Sequence, residues 1–592
     1  MTVNQKLTAL RTLMKQYLVD ALIVPSSDAH LSEYVANHWK TREWISGFTG
    51  SAGTAVITMD HAGVWTDSRY YIQAEKELAD SEFELHKVYN YNPDYIQFLQ
   101  QNLQPGSVIA CDAWVISHSE AVGYRTEFQG SGMTLETRYD FIGMIWKDRP
   151  PVPQNKVMIH ADGFVGECTS TKLDKVRSKM KDNHCTEYLI TALDEIAWLF
   201  NLRGNDIDCN PVFISYAIIR EHDAVLFVDP VKTNNDLISK LMEDNISVQP
   251  YTQIKSYLEE LPETTSLYLA GNLANEQIYS CLSCKVSDGG SLISLMKAIK
   301  NEKEVSNIRQ AMKKDGIALV KAFMWLENEL KSRTVSEYEF GEKIGYFRSL
   351  QPGYHGESFE PIVGYKSNGA IVHYTAHPDS SAMIEENGIL LVDSGGQYED
   401  GTTDITRTIS LGDATAEQKL HFTLVLKGHI AVERLVFPQG ISGYQVDLLA
   451  RQFLWSEGLN YFHGTGHGVG YFLNVHEGPH GISFVLSERS KTPLQPGMFT
   501  SNEPGVYLEG AYGIRIENLI LTREVKTTPF GKFLGHESLT LFPLDAGLIE
   551  TSILNKPEIE WLNDYHKKVY EILSDGLDAI EKTWLKKKCH LF

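Results

Sequence analysis

Five side chains in the C-terminal half of the chain are candidate metal ligands. They are four carboxylates and one imidazole, in chain order Asp393, Asp404, His467, Glu503 and Glu517. Four carboxylates that meet without cations repel one another, and their pKa values rise. Two divalent ions balance four negative charges, and an oxygen-rich set with one imidazole suits Mn²⁺, with Co²⁺ or Zn²⁺ as alternatives. If the five converge, the sequence predicts a site with two divalent metal ions, an arrangement that activates water and polarises a carbonyl.

Local patterns around three of the carboxylates support an inward orientation. Asp393 ends the apolar run ILLVD, where an unpaired buried charge would be costly, so we expect it to face a cleft or a metal ion. Asp404 follows a turn-rich segment, which lets the two aspartates face each other across a hairpin. In GIRIENLIL, strand alternation places Arg515 and Glu517 on one face, opposite the isoleucines. A surface ion pair is the alternative interpretation of Arg515 and Glu517.

Histidines concentrate in two glycine-rich segments. The loop HGTGHGVG (residues 463–470) contains His463 and His467, and NVHEGP (residues 474–479) adds His476. Four glycines in eight residues are not typical of a helix, and they allow the backbone to approach other groups closely. This pattern favours a ligand or catalytic role for the imidazoles, and a solvent-exposed polar loop is the alternative.

The N-terminal half shows one order of elements twice. A helical pattern over residues 7–17 precedes a buried strand, Ala21–Pro25, and paired strands near residues 54–59 and 63–66. The proline-rich segment 148–156 is a linker pattern. A helix at 171–183, a strand at 188–191 and paired strands at 212–219 and 224–228 then repeat the order. We predict two related α/β modules.

The remainder of the chain favours an α+β domain. A long amphipathic helix opens it near Lys297, and capping boxes at Thr415 and Ser442 each precede a helical run. Strand-like segments with Gly/Asp turns surround the predicted metal ligands. Helices combined with antiparallel hairpins are typical of an α+β catalytic domain.

Composition excludes several classes of protein. With 54 Lys and Arg against 76 Asp and Glu, the net charge of −22 disfavours general binding to nucleic acid or anionic lipid. Seven cysteines in 592 residues argue against a disulfide framework and for a reducing compartment. The N-terminal segment lacks a signal-peptide pattern, and no charge-free apolar run approaches the length of a membrane span. We therefore expect a cytoplasmic protein without a membrane segment.

The motifs together resemble a known family. The contexts VDSG, DITRT, GTGHGVG, NEPG and RIEN resemble those of the dinuclear "pita-bread" metallopeptidases, and IVHYTA (residues 371–376) looks like the histidine motif of the aminopeptidase P and prolidase branch. WISGFTGSAGTAVIT and WTDSRYYIQAEKEL resemble the creatinase-like N-terminal domain. The resemblance implies two creatinase-like α/β modules, at residues 1–155 and 156–298. A pita-bread catalytic domain with a C-terminal extension follows at residues 299–592.

The same resemblance implies an activity and a partition of the ligands. The activity is hydrolysis of the first peptide bond in peptides whose second residue is proline, a tertiary amide without an N–H. By similarity, Asp393 and Asp404 bind one metal ion, and Asp404, His467, Glu503 and Glu517 surround the other. Asp404 reaches either or both ions, so this partition stays open.

Further roles follow from the resemblance alone. Glu503 resembles the residue that accepts the proton of the attacking water. His476 resembles the donor to the scissile carbonyl or the developing oxyanion. His373 and His463 resemble the remaining catalytic histidines of the substrate pocket, which shape the proline site and take part in proton traffic. Arg515 resembles the residue that orients metal-bound carboxylates. A core histidine is the alternative for His373, and a structural ion pair for Arg515.

Other assignments within and beyond this family remain open. The resemblance implies a homodimer with contacts from the C-terminal domain. A prolidase, which cuts only Xaa-Pro dipeptides, would use the same metal ligands, although the second N-terminal module favours an aminopeptidase. A methionine aminopeptidase would leave the first 300 residues without a counterpart. A non-catalytic binding protein on a decayed peptidase fold is disfavoured by the intact ligand set.

Overall fold

The computed structural model describes residues 1–89 and 93–592. Within these residues the chain divides into two compact units. The first comprises Met1–His160 and Glu167–Ile293, and the second comprises Ala161–Gly166 and Ser294–Phe592. The two predicted N-terminal modules lie almost entirely in the first unit. The residues predicted to do chemistry all lie in the second.

The first module is a six-stranded mixed sheet covered by helices. The strand order is β4-β3-β2-β1-β5-β6. The strands are β1 (Ala21–Pro25), β2 (Thr54–Thr58), β3 (Ala62–Asp67), β4 (Phe83–Val88), β5 (Val108–Cys111) and β6 (Thr134–Glu136). The helices are α1 (Val3–Gln16), α2 (Thr41–Ser46), α3 (Tyr71–Leu78), α4 (Tyr95–Asn102), α5 (His118–Gly130) and α6 (Phe141–Ile145). As the helical spacing predicts, α1 buries Leu7, Leu10 and Met14 completely.

The second module repeats this sheet. Its order is β12-β11-β10-β8-β13-β14, with the same sequence of parallel and antiparallel pairs. The strands are β7 (Met158–Ile159), β8 (Glu187–Ile190), β9 (Leu202–Arg203), β10 (Ser215–Arg220), β11 (Ala224–Val228), β12 (Ile246–Gln249), β13 (Ser266–Leu269) and β14 (Lys285–Asp288). The helices are α7 (Thr169–Asp182), α8 (Leu193–Leu199), α9 (Asn235–Glu243), α10 (Ile254–Glu259) and α11 (Glu276–Ser280). The predicted repetition of one α/β module is therefore confirmed.

The second unit combines helices with several small antiparallel sheets. Its helices are α12 (Ser294–Ala298), α13 (Glu302–Leu330), α14 (Glu337–Ser349), α15 (Ala416–Glu433), α16 (Gly443–Ser456), α17 (Glu488–Lys491), α18 (Lys556–Leu573) and α19 (Ala579–Lys588). Its strands up to residue 410 are β15 (Val335–Ser336), β16 (Tyr354–Glu357), β17 (Ile362–Tyr365), β18 (Met383–Ile384), β19 (Ile389–Ser394), β20 (Gly396–Tyr398), β21 (Gly401–Thr402) and β22 (Ile405–Ser410). The later strands are β23 (Val436–Pro438), β24 (Gly466–Gly468), β25 (Glu477–Ile482), β26 (Phe499–Asn502), β27 (Gly505–Leu508), β28 (Tyr512–Arg515), β29 (Asn518–Thr528) and β30 (Gly531–Ser538).

Capping explains where the main helices of this unit begin. The predicted long helix is interrupted after α12, because the Asn301 side chain accepts the backbone N–H of Glu304 and starts α13 as a new helix. The capping boxes at Thr415 and Ser442 are both present, at the starts of α15 and α16. Helix α15 ends at Glu433, short of the predicted Val436, because β23 then pairs with β30.

Two strand systems carry the predicted ligands. Strands β17, β19 and β22 form one sheet, in which Asp393 lies opposite Thr406. The second is a six-stranded sheet of order β23-β30-β29-β26-β24-β25. The single strand predicted through Arg515 and Glu517 is split, since β28 ends at Arg515 and β29 begins at Asn518. Arg515 and Glu517 are 2% and 1% exposed, so a surface ion pair is the wrong interpretation of them.

Among residues 1–89 and 93–592, no helix has both the length and the apolar character that crossing a membrane requires.

Candidate active site

Four carboxylates, of which three are buried and Glu503 is partly exposed, meet where the two strand systems approach. Thr406 of β22 connects them: its hydroxyl donates to Glu517 Oε2 over 2.7 Å and accepts from Arg515 Nε over 3.1 Å. Arg515 Nη2 in turn donates to Asp393 Oδ2 over 2.6 Å. One ligand atom each from Asp404, His467 and Glu517 lies within 4.8 Å of the others. The structure thus brings together carboxylates more than 100 residues apart in the sequence.

Strand β24 places His467 against Glu503. Its backbone N–H donates to Ser501 Oγ over 2.9 Å, and that hydroxyl donates to Glu503 Oε1 over 3.0 Å. A Cβ on Gly466 would lie 1.9 Å from the Ser501 carbonyl oxygen, so only glycine permits this approach. The glycine-rich pattern therefore serves a close contact between β24 and β26.

The imidazole of His467 presents one nitrogen to the carboxylates. Nδ1 lies 3.0 Å from the Gly468 carbonyl oxygen, which can only accept, so Nδ1 carries the proton. Nε2 then offers its lone pair 3.5 Å from Asp404 Oδ2 and 3.4 Å from Glu503 Oε1. A lone pair and two carboxylate oxygens repel at these distances, and a cation between them reverses the sign of the interaction.

The pKa values in the site show how strongly the carboxylates repel one another. Burial, followed by the charges of Glu517, Asp393 and Glu503, raises the pKa of Asp404 well above its ordinary value. Burial and the charges of Glu503 and Asp393 do the same to the pKa of Glu517. Burial, opposed by Arg515, raises the pKa of Glu503 to about 7. With all four carboxylates ionised, their mutual repulsion therefore destabilises the folded protein unless positive charge is added.

The donor set fits two divalent cations. Among the described residues, Asp393 Oδ1 and Glu517 Oε1 are buried and accept no hydrogen bond, although buried carboxylate oxygens normally do. Both carboxylates are held through their other oxygen, by Arg515 and Thr406. Carboxylate oxygens with one imidazole nitrogen are ligands of first-row divalent ions. The residues that would hold the ions are Asp393, Asp404, His467, Glu503 and Glu517.

A chain of hydrogen bonds connects the carboxylates to His463. Arg515 Nη1 donates to the Tyr507 hydroxyl over 2.7 Å, and that hydroxyl lies 2.8 Å from His463 Nε2. His463 Nδ1 lies 2.7 Å from the Gly464 carbonyl oxygen and therefore carries the proton, so Nε2 accepts from Tyr507. Arg451 Nη2 donates to the His463 carbonyl over 2.7 Å. The orientation of His463 is thus coupled to that of Arg515.

His476 lies against His467, with ring centroids 4.3 Å apart and planes at 79°. Its charge acts on Glu503, where it lowers the pKa. The next residue, Glu477, is buried and accepts Lys297 Nζ over 2.7 Å, and it also pairs with Lys300. Two buried ammonium groups therefore fix the backbone next to His476.

His373 lies in the segment between residues 366 and 382, which approaches Arg515. The carbonyl of the preceding residue, Val372, accepts from Arg515 Nη2 at 3.4 Å. The segment is held by Glu337, a fully buried residue at the start of α14. Its carboxylate accepts five hydrogen bonds of 2.7–3.1 Å, from Tyr365 N, Asn368 Nδ2 (to both oxygens), the Tyr374 hydroxyl and Ala382 N.

Three groups that position the site, Tyr507, Glu337 and Thr406, were not predicted from the sequence. Tyr507 lies four residues after Glu503 in NEPGVY, and the spacing gives no sign that its hydroxyl contacts both Arg515 and His463. Glu337 resembles an ordinary acidic residue of a first helical turn. Thr406 lies in the motif DITRT, and strand alternation after Asp404 was the available signal for its inward direction.

Comparison with known proteins agrees with this geometry. Residues 306–524 match metallopeptidase family M24, and residues 532–592 match the C-terminal region of that family. Residues 6–137 and 148–304 each match a creatinase/prolidase N-terminal domain. The probable Xaa-Pro aminopeptidase P of Paracoccidioides brasiliensis is 41% identical over 99% of this chain and 98% of its own length. The chain belongs to the aminopeptidase P branch of the M24 metallopeptidases.

Other members and solved structures extend the comparison. The probable Xaa-Pro aminopeptidase P of Laccaria bicolor is 42% identical over 99% of this chain and 94% of its own length. The X-prolyl aminopeptidase of Caenorhabditis elegans, described as a cytosolic enzyme with a di-nuclear active site, superposes with a TM-score of 0.95 at 34% identity over 100% of both chains. An Xaa-Pro dipeptidase from Bacillus anthracis shares the fold over 64% of this chain and 99% of its own, with a TM-score of 0.52 at 23% identity. The expected creatinase-like modules and pita-bread catalytic domain are confirmed.

Proposed function

We propose that this protein is an Xaa-Pro aminopeptidase that uses two divalent metal ions to hydrolyse the first peptide bond of peptides with proline in second position. The observation that carries the proposal is the convergence of three buried carboxylates and the partly exposed Glu503 on His467, in a chain that matches this family over its whole length. When bound, the two ions supply the positive charge that activates water and polarises the scissile carbonyl.

The chain's own residues divide the work around that chemistry. Glu503, whose Oε1 accepts from the Ser501 hydroxyl, accepts the proton of the attacking water as a general base. His476, beside His467, donates to the carbonyl oxygen as negative charge develops on it. Arg515 holds Asp393 in a fixed orientation through a 2.6 Å hydrogen bond.

His373 and His463 form the binding side of the proposed pocket. The Arg515–Tyr507–His463 chain fixes one imidazole, and Glu337 fixes the segment that carries the other. Proline has no N–H to recognise, so shape and imidazole orientation provide the selectivity for its ring.

Several finer assignments belong to the same proposal. We assign Mn²⁺ as the preferred ion because the ligand set is dominated by carboxylate oxygens, with Co²⁺ and Zn²⁺ as competent substitutes. We propose three domains at residues 1–155, 156–298 and 299–592, a homodimer built through the last of them, and a cytoplasmic location. The cytosolic enzyme of Caenorhabditis elegans, similar over the whole chain, supports the location.

A paired hydrolysis assay tests the proposal and its nearest alternative, a prolidase. The metal-depleted protein is reconstituted with Mn²⁺ and given an Xaa-Pro-Xaa tripeptide, the matching Xaa-Pro dipeptide, or an Xaa-Ala-Xaa tripeptide. We expect release of the first residue from the proline tripeptide only. Cleavage of the dipeptide alone would identify a prolidase, and no cleavage of any peptide by metal-loaded protein would refute the peptidase function.

Variants of two glutamates in one segment locate the chemistry. Glu503→Gln removes the proton acceptor, so we expect kcat to fall by roughly 10²–10⁴, the range for loss of a general base. Glu509→Gln makes the same change at an exposed position nearby and should leave kcat unaltered. Equal activity of the two variants would exclude Glu503 from catalysis.

A further inference from the structure

A second cluster of metal-binding side chains lies in the first module. His61 immediately precedes β3, and Glu84 and His86 lie on β4, the edge strand that pairs with β3. Residues two apart on a strand share a face, so Glu84 and His86 project together. One ligand atom from each of the three side chains lies within 4.8 Å of the others. The two imidazole Nε2 atoms are 3.1 Å apart.

Packing holds both imidazoles in place. The His86 ring stacks on the Trp65 indole with centroids 3.7 Å apart and planes at 10°, and Trp65 Nε1 donates to Asp94 over 2.7 Å. His61 follows a turn whose geometry is set by Thr58, since Thr58 Oγ1 accepts the His61 backbone N–H over 3.0 Å. Groups fixed in this way lose little conformational entropy when they bind a ligand.

Gly63 provides the space in which the imidazoles meet. It lies on β3 directly opposite Glu84. A Cβ at this position would be 2.6 Å from the Trp65 ring, 2.7 Å from His86 Cδ2 and 2.9 Å from His61 Nε2. Any larger residue would displace one of the rings. The two imidazoles are therefore packed closely around Gly63 and are not flexible surface chains that meet by chance.

We propose that His61, Glu84 and His86 form a further metal-ion site, separate in sequence from the dinuclear set and suited to Zn²⁺ or a similar borderline divalent ion. Two imidazoles and one carboxylate, with water in the fourth position, are a common zinc ligand set. With Zn–N bonds of about 2.0–2.1 Å, tetrahedral geometry separates two nitrogens by about 3.3 Å. The observed 3.1 Å is close to that separation.

The electrostatics of the cluster favour a bound cation. Burial lowers the pKa of both imidazoles, and His61 lowers the pKa of His86 further. Glu84 acts on both rings as a nearby negative charge. The competing arrangement is a hydrogen bond between two neutral imidazoles, which needs no metal and gives no metal affinity.

The proposed ion would have a structural effect. It would connect the turn before β3 to β4, an edge strand that pairs with the sheet on one side only. A ligand that binds the folded state alone stabilises it by mass action, in proportion to the logarithm of its concentration over Kd. We therefore expect zinc to protect the β3–β4 edge without a change in peptidase activity.

Metal counting on the full-length protein tests the proposal. Metal-depleted wild type, His86→Gln and the control His222→Gln are equilibrated with buffered micromolar Zn²⁺, and bound zinc per chain is measured by mass spectrometry of the elements. His222 has a side chain that is 86% exposed, so its substitution is a matched change outside the cluster. We expect His86→Gln to hold one zinc ion fewer than both wild type and His222→Gln, while Mn²⁺-supported peptide hydrolysis is equal in all three.

A second variant keeps the test decisive if His86→Gln folds poorly. Glu84 is exposed, so Glu84→Gln removes one ligand without disturbing the core. Loss of an outer hydrogen-bonding partner already weakens metal sites by roughly 10–100-fold, and loss of a direct ligand should weaken zinc binding at least tenfold. Equal zinc content in wild type and His86→Gln, or unchanged zinc affinity in Glu84→Gln, would overturn the proposal. Absence of peptide hydrolysis in wild type and both histidine variants, together with the expected zinc difference, would count against the peptidase assignment alone.

Discussion

Glu337 offers a direct test of how the segment carrying His373 is held. The substitution Glu337→Gln keeps the size and shape of the side chain and replaces one carboxylate oxygen by an NH₂ group. Oε2 accepts from Asn368, the Tyr374 hydroxyl and the Ala382 backbone N–H, and Oε1 accepts from Tyr365 N and Asn368. Either orientation of the amide therefore places a donor against at least two donors.

The size of the effect follows from this count. A hydrogen bond to a charged group contributes about 1.5–3 kcal/mol, so losing two such bonds in a fully buried position costs about 3–6 kcal/mol. This cost falls on the ordered conformation of residues 366–382, because three of the donors belong to that segment. A loss of about 3 kcal/mol in the binding-competent conformation corresponds to a decrease in kcat/KM of about 10².

Glu339→Gln is the matched control for Glu337→Gln. Glu339 lies two residues further along the same helix, with a 40% exposed side chain paired to Arg333, and exposed ion pairs contribute about 0–1 kcal/mol. For both variants, kcat/KM on the proline tripeptide and the amount of bound Mn²⁺ per chain are the quantities to measure. Glu337→Gln should lose activity and keep its metal ions, since its carboxylate bonds to none of the proposed ligands. Equal kcat/KM in the two variants would refute the reasoning.

Three further predictions concern other parts of the molecule. Tyr507→Phe removes the hydroxyl that bonds to Arg515 over 2.7 Å and to His463 over 2.8 Å. It should lower kcat/KM by roughly tenfold with metal content unchanged. Equal kcat/KM would argue against a role for this chain of hydrogen bonds. The Asp404→Asn variant should bind less Mn²⁺. Without metal it should unfold at a higher urea concentration than wild type, because the substitution removes a buried charge among like charges. A lower urea midpoint would contradict this. Burial lowers the pKa of His30 to about 3, against about 6.5 in the unfolded state. Below pH 6.5 the unfolded state therefore binds a proton at this imidazole and the folded state does not. The stability present above pH 6.5 is lost as the pH falls towards 3. His30→Asn should therefore reduce the difference between the free energies of unfolding at pH 7 and pH 5, measured with urea, by about 2 kcal/mol. An unchanged difference would show that His30 is not the source of this pH dependence.

The elements of the fold were predictable where a local cause determines them. Helix starts at Thr415 and Ser442 depend on capping groups within three residues, and both occur as predicted. The repeat of the α/β module was visible because each copy contains the same local patterns in the same order. The split between β28 and β29 was not predictable, since β28 pairs with β27 in a two-stranded sheet while β29 pairs with β26 in the six-stranded sheet.

The candidate site shows the same limit. The types of the metal-binding residues are local information, and the resemblance supplied their grouping. The contacts that orient them are not local, because Glu337 lies 28 to 45 residues from its donors. No property of the sequence around Glu337 or Tyr507 distinguishes them from exposed residues of the same type. Sequence therefore indicates which chemistry is available more readily than which side chains hold it in place.

The two similar sheets of the first unit allow equivalent positions to be compared within one chain. Counted from the first residue of each hairpin ladder, Ala62 corresponds to Ala224, because both turns close with the same backbone hydrogen bond. The positions of the cluster in the second copy are then occupied as follows: His61 by Asp223, Gly63 by Val225, Glu84 by Ser247 and His86 by Gln249.

In the second copy the turn is closed by an ion pair between Arg220 and Asp223, and the sheet is otherwise the same. This architecture consequently folds with or without imidazoles at its edge. The fold of the module therefore does not require the histidines of the first copy. Replacing them with the residues of the second copy would show whether metal binding can be removed while the fold is kept.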